Sequence, residues 1–161
     1  MRYFERGFVF QGFIPKPELT DQTPPPSFIL HGEHKLIVLH DSDAVELDRR
    51  LALVVPITSA TAERKRAFKE GRPILESYVP LSPEDYPFLQ HESYVSTAQI
   101  CPINRKWLVS YIDKIQPAKM EEIDLHVIRN IGLMNTVVKL AERLYRDQLF
   151  KADAETAADH E

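Results

Sequence analysis

The sequence predicts a mainly β fold, a small antiparallel β-barrel followed by a C-terminal helix or helices. Three observations predict it. Short runs of β-branched, aromatic and other apolar residues recur between turn-forming segments over the first two thirds of the chain. Beyond Pro117 the apolar period changes from about 2 to about 3.5, the repeat of a helix. Many short strands followed by helix pack as an antiparallel layer with the helix on one face or end. At 161 residues and 43% hydrophobic content, the chain is about one domain and buries a core without disulfides or metal. That domain is expected over residues 1–151, with a fraying tail over 152–161, where no apolar stripe continues.

The first strand is read in Arg6-Gly7-Phe8-Val9-Phe10-Gln11-Gly12-Phe13, whose glycines permit a bend or bulge. From Pro15 to Pro26 five prolines remove backbone donors and fix φ, which predicts a long, partly extended loop. Lys35-Leu36-Ile37-Val38-Leu39-His40 and Leu51-Ala52-Leu53-Val54-Val55-Pro56-Ile57 are almost continuous apolar runs, as expected of strands buried on both faces. The polar segment Asp41 to Arg50 connects them. A further strand is expected within Arg72–Leu81, and Ser82-Pro83-Glu84-Asp85-Tyr86 carries the cap and first-turn proline of a short helix. Ser93 to Ile103 returns to β-type residues. In the C-terminal part Met120, Ile123, Val127, Ile131, Met134, Val138, Ala141 and Leu144 share one face, and Gly132 either kinks one helix or separates two. The first half of this stripe is expected in the core, and Leu133 through Phe150 at an oligomer or partner contact.

Net charge is −4, which argues against binding to nucleic acid through bulk positive charge, so any such contact needs a local patch. Glu63-Arg64-Lys65-Arg66-Ala67-Phe68-Lys69-Glu70-Gly71-Arg72 supplies one, with five basic side chains against two acidic; a solvated charged loop is the plainer reading. No apolar run approaches the roughly 18 residues of a membrane span, and the start Met1-Arg2-Tyr3-Phe4-Glu5-Arg6 lacks a signal-peptide core. The single cysteine, Cys101, has no thiol partner, which fits a reducing compartment. The expectation is a cytoplasmic protein with no membrane contact.

Four landmarks, in this order and spacing, resemble the MazF/PemK family of toxin–antitoxin endoribonucleases. Arg6-Gly7-Phe8-Val9 is similar to the family's opening Arg-Gly-Asp-Val strand, and His34 through His40 occupies the place of its Arg-Pro and following apolar strand. Pro56-Ile57-Thr58-Ser59 resembles the family's strand ending in Thr-Ser. Ser93-Tyr94-Val95 through Gln99-Ile100-Cys101-Pro102-Ile103-Asn104-Arg105-Lys106-Trp107-Leu108 resembles its Ser-Val…Gln-Ile-Arg-Thr-Ile-Asp-Lys-x-Arg-Leu. The likeness covers about residues 5 to 135. It implies an SH3-like (CcdB/MazF-type) barrel with a C-terminal helix, a homodimer, single-stranded RNA (mRNA) as substrate, and a cognate antitoxin that covers the RNA groove. Two departures touch the chemistry: His34 and Cys101 stand where the family has arginines, and Lys35 stands where proline is usual.

Metal-free cleavage of RNA needs a base for the 2′-hydroxyl proton, an acid for the leaving 5′-oxygen, and donors for the phosphate. Imidazole suits proton transfer near neutral pH, so the catalytic candidates are His34, with Lys35 supplying positive charge and Thr58 positioning a phosphate oxygen. Ser59, Gln99, Asn104, Arg64, Lys65 and Arg66 are the substrate-binding candidates, and Phe13, Phe28, Tyr78 and Trp107 the aromatics available to stack on bases. No metal or other cofactor is expected: His31 and His34 are three apart, but no third ligand completes a recognisable set. His40-Asp41-Ser42 has the composition of a triad, but adjacent strand residues point to opposite faces. Cys101 reads as a small buried hydrophobe. Two readings compete with the ribonuclease: a non-enzymatic CcdB-like protein acting by protein contact, and a catalytically decayed homologue that still binds RNA or antitoxin.

Overall fold

The computed structural model describes residues 3–16, 30–44 and 48–158, with 148–158 given as helical backbone. The proline-rich loop and Phe28 lie largely outside these residues. The chain divides into two compact units, Met1–Val127 and Ile128–Glu161.

The first unit is a seven-stranded, antiparallel sheet built from β1 (Phe8–Ile14), β2 (Gly32–Val38), β3 (Leu51–Thr58), β4 (Tyr78–Leu81), β5 (Ser93–Ser96), β6 (Cys101–Asn104) and β7 (Leu108–Lys114). The order across it is β4-β5-β3-β2-β1-β7, with β6 on β3 beside β5. Helix α1 (Thr61–Glu70) follows β3 directly, and α2 (Pro117–Asn130) follows β7. The expected barrel is not closed by this ladder. Among the described residues β4 pairs only with β5 and β7 only with β1, which leaves an open sheet.

The far edge of β3 is shared between two strands. Leu51 to Val54 pair with Asn104 to Cys101 of β6, whereas Ile57 and Thr58 pair with Val95 and Tyr94 of β5. Pro56 falls in the gap between these partners, a position that accommodates a residue without an N–H.

Burial explains why the first strands carry continuous apolar runs. Phe10, Ile14, Leu36, Val38, Ala52 and Val54, all even-numbered, belong to one cluster with Phe4, Ile103 and Leu108. Their odd-numbered neighbours Val9, Ile37, Val55 and Ile57 belong to a second, with Val79, Leu81, Tyr86, Leu89 and Val95 and with Met120 and Ile123 of α2. Side chains alternate along a strand, so both faces of the sheet are covered where these apolar residues lie.

Gly12 shows what this packing demands. The β1–β7 register shifts between Gln11 and Gly12, the bulge expected of this strand. A Cβ at Gly12 would meet the Leu36 side chain at 2.5 Å and the Trp107 carbonyl at 3.0 Å.

Several elements differ from the sequence expectation. The charged segment is a helix, α1, held by its interior. Glu63, 5% exposed, accepts from the Arg72 guanidinium at 2.6 Å and from the Leu75 N–H at 3.1 Å, so one carboxylate ties the helix to the chain that leaves it. The αL residue Gly71 ends the helix, its N–H reaching back to Phe68. Residues 82–86 form one turn rather than a helix: Tyr86 N–H donates to the Ser82 carbonyl and Glu84 N–H to the Ser82 hydroxyl, but the buried Tyr86 ring pulls the chain into the core. β4 occupies only the last four residues of the strand expected within Arg72–Leu81. β7, to which no expectation was attached, completes one edge.

In the second unit Gly132 separates two helices. Its φ of 75° and the bonds from Gly132 and Leu133 N–H to the Arg129 and Ile128 carbonyls close the preceding helix. Helix α3 (Met134–Ala158) follows. The long stripe is divided in burial: Met120 and Ile123 are in the core, whereas Val138 and Leu144 are exposed.

Two outcomes follow from this packing. Gly12→Ala is expected to lower unfolding stability by about 1–3 kcal/mol, because Leu36 is fully buried and cannot swing aside; urea unfolding followed by circular dichroism checks it. Glu63→Gln is expected to cost about 1–3 kcal/mol at neutral pH by weakening the charge-assisted bonds to Arg72 and Leu75. The Arg72 hydrogen bond, foremost, holds the Glu63 carboxyl below its ordinary value. Its contribution is therefore complete above the unfolded glutamate pKa of about 4.3 and is lost as pH falls through the lower native value. The gap in unfolding free energy between wild type and variant, measured from pH 7 down to pH 3, should shrink over that acid range.

Candidate active site

The sheet brings four of the nominated residues to one place. His34 and Lys35 lie on β2, and Thr58 and Ser59 at the end of β3, where Lys35 pairs with Ile57. These four line a cleft of about 290 Å³ whose other walls are Gln11, Glu33, Ile57, Leu89, His91 and Ser93. All of them come from β1, β2, the end of β3 and the residue after it, or the turn into β5 and its first residue.

Each side chain is oriented by a definable contact. His34 Nε2 lies 3.1 Å from the His31 carbonyl oxygen. A carbonyl only accepts, so in the neutral ring Nε2 carries the hydrogen and Nδ1 keeps its lone pair. The Thr58 hydroxyl oxygen accepts from the Ala60 N–H at 3.2 Å, which leaves the hydroxyl hydrogen available to a substrate oxygen. The Ser59 and Thr61 hydroxyls share a hydrogen bond of 2.9 Å. Between them Ala60 has φ 49°, the only non-glycine residue with positive φ among the described residues. That left-handed residue turns the chain from strand to helix in a single step, at a cost of about 1–3 kcal/mol. Thr58 and Ser59 thus also form the turn that a strand end requires, beside whatever chemistry they perform.

The remaining candidates are distributed elsewhere. Arg64, Lys65 and Arg66 are exposed on α1. Arg64 and Lys65, with Phe68, Thr61 and Ile74, line a separate groove of about 590 Å³, whose Thr61 hydrogen-bonds the cleft residue Ser59. Asn104 caps a 3-10 turn through the Lys106 N–H and pairs with Leu51, at the opposite end of β3 from Thr58. At about 3.3 Å per residue this is roughly 23 Å away. There it lines a second cavity of about 590 Å³ with Arg49, Arg50, Arg105 and Lys106. Gln99 uses its side-chain oxygen to hold the Leu30 N–H at 2.8 Å and is not among the described residues that line the cleft.

His40 is a structural residue: Nε2 accepts from Leu53 N–H at 3.0 Å, Nδ1 donates to the Asp41 carbonyl at 2.7 Å, and the ring packs edge-on against Phe4. Burial pushes the Cys101 thiol up, away from the reactive thiolate. Of the aromatics, Tyr78 packs against Tyr94, and Phe13 and Trp107 are partly exposed. Among the described residues no group of three His, Cys, Asp or Glu side chains is placed to hold a metal, and no described helix is long and apolar enough to cross a membrane.

Two residues were missed by sequence reasoning. His91 enters the cleft from the turn before β5, far in sequence from His34, and a lone histidine in a polar turn carries no signal of its own. Phe68 is 91% exposed beside Arg64 and Lys65. Its signal was present, an aromatic inside a basic run, but only the helix shows that it points outward.

No family model matches the chain, and no curated protein matches it in sequence. Solved structures do match. An endoribonuclease from a mycobacterial species superposes with TM-score 0.55 at 17% identity, covering 83% of this chain and 96% of that one. An endoribonuclease in complex with its cognate antitoxin, again mycobacterial, gives 0.52 at 18%, covering 80% and 95%. A MazE–MazF complex from Deinococcus radiodurans gives 0.51 at 14%, covering 80% and 96%. At these identities the likeness is one of fold alone: the chain shares the architecture of these endoribonuclease and MazE–MazF structures, a MazF-like fold.

Proposed function

We propose that the chain is the toxin of a toxin–antitoxin pair, a metal-independent, sequence-selective endoribonuclease that cleaves single-stranded RNA through its own 2′-hydroxyl. The observation that carries this reading is the cleft in which two adjacent strands bring His34, Lys35, Thr58 and Ser59 together. Its architectural neighbours are endoribonucleases, which supports the same chemistry.

The roles follow from the groups. His34, with Nε2–H fixed on the His31 carbonyl, takes the 2′-hydroxyl proton on Nδ1. Lys35 offsets charge on the crowded phosphate, and the Thr58 hydroxyl donates to a non-bridging oxygen. Phe68, Arg64 and Lys65 offer the incoming strand an aromatic face and phosphate contacts beside the cleft. A chain of net charge −4 thereby meets RNA through a local basic surface. The acting form is a homodimer in the cytoplasm, silenced by a cognate antitoxin. The neighbours solved with an antitoxin support that partner.

A binding-only protein is the second reading, favoured by His34 and Cys101 standing at positions where the MazF/PemK pattern has arginines. Purified wild type, His34→Ala and Thr58→Ala incubated with a long single-stranded RNA in excess chelator separate the two. Discrete cuts by wild type, mapped by primer extension, are expected to slow about 10²–10⁴-fold in His34→Ala and about 10²–10³-fold in Thr58→Ala. An intact RNA after incubation with folded wild type selects the binding-only reading instead.

A further inference from the structure

We propose that His91 is the general acid of this site, the group that protonates the departing 5′-oxygen. The inference rests on the ribonuclease reading above and supplies the one chemical role that His34, Lys35 and Thr58 leave unfilled.

The placement comes from the sheet. Strand β3 lies between β2 and β5, so the Thr58 end of β3 has His34 on the strand to one side and the chain entering β5 on the other. Neighbouring strands are about 4.8 Å apart, which puts β2 and β5 roughly 10 Å from each other. That span suits a phosphodiester held between two imidazoles, each at a hydrogen bond of about 2.8 Å. His34, Thr58 and His91 line the same cleft, so a phosphodiester seated at the Thr58 end of β3 has a histidine-bearing segment on either side of it, the arrangement an in-line displacement needs.

The turn that carries His91 is anchored although its ring is exposed. Leu89, two residues before it, is 6% exposed and packs in the core. Ser93, two residues after it, is 5% exposed, and its hydroxyl donates to the His91 carbonyl at 3.1 Å. An accessible imidazole on a fixed backbone is what a proton donor to substrate needs.

The step balances. The 2′-hydroxyl gives its proton to His34 Nδ1, and the 2′-oxygen forms a bond to phosphorus. The phosphorus–O5′ bond breaks with its electron pair on O5′, which takes a proton from the His91 imidazolium. The products are a 2′,3′-cyclic phosphate and a 5′-hydroxyl, with His34 protonated and His91 neutral until water exchanges the protons.

The test replaces the leaving oxygen. An RNA with one bridging 5′-sulfur at a mapped cut releases a thiolate, whose conjugate thiol has a pKa near that of cysteine, about 8.5, and which therefore leaves without an acid. His91→Ala and His91→Gln are expected to cut ordinary RNA at least about 10²-fold more slowly than wild type, and to approach the wild-type rate on the sulfur-bridged RNA. His34→Ala should remain slow on both. Recovery on the second substrate also shows that the His91 variants are folded. Wild-type rates on ordinary RNA for the His91 variants, or equal impairment on both substrates, would overturn the assignment while leaving the ribonuclease reading intact. Failure of wild type to cut ordinary RNA would overturn both.

Discussion

The structure depends on the burial of β1, β2 and β3 on both faces at once. Consecutive residues such as Val54 and Val55 belong to different core clusters. A slip of one residue in any of these strands would exchange the two clusters, placing residues fitted to one packing environment into the other. Register is thus fixed by packing, and with it the residue at which each strand ends. Gly12 belongs to the same constraint, since only a residue without a Cβ lets Leu36 and the Trp107 carbonyl approach β1 together.

The candidate site is a consequence of where those strands stop. β3 leaves the sheet at Thr58, and with Ala60 in the left-handed conformation only Ser59 and Ala60 separate strand from helix. Polar side chains there escape the apolar core while their backbones remain fixed by the β2 and β5 ladders. A rigid sheet holding a polar rim offers the preorganisation that phosphate chemistry demands, because the donors need not be reordered when charge develops. The strain at Ala60 and the hydrogen-bonded Ser93 belong to the same rim, which couples local backbone cost to the placement of reactive groups.

Electrostatics are arranged locally against an acidic whole. The buried Glu63 carboxylate satisfies Arg72 from within, and Arg72 also reaches Glu70. This ties the chain leaving α1 to the helix interior and fixes the helix with Arg64, Lys65 and Phe68 exposed. A flexible charged loop of the same composition would present these groups only after losing conformational entropy on binding RNA. The helix has met much of that cost during folding.

The order of short strands followed by helix, the two-sided burial of the Lys35–His40 and Leu51–Ile57 runs, and the break at Gly132 were legible because periodicity and glycine chemistry are local properties of a chain. The Thr58 strand end was legible as the edge of an apolar run, whereas the candidacy of His34 and Thr58 came from the resemblance of these landmarks to the MazF/PemK pattern. The open sheet was not legible, since the division of β3 between β5 and β6 depends on pairings across roughly 36 to 53 residues that no local pattern encodes. Nor was the helicity of the charged segment, which owes its stability to a carboxylate meeting Arg72 and the Leu75 N–H nine and twelve residues away. Composition and periodicity by themselves determined which segments must be buried and where the chain must turn. Tertiary structure alone decided that Asn104 belongs to the far end of β3 and that His91 joins His34 in one cleft, because proximity across a sheet is set by strand pairing and not by distance along the chain.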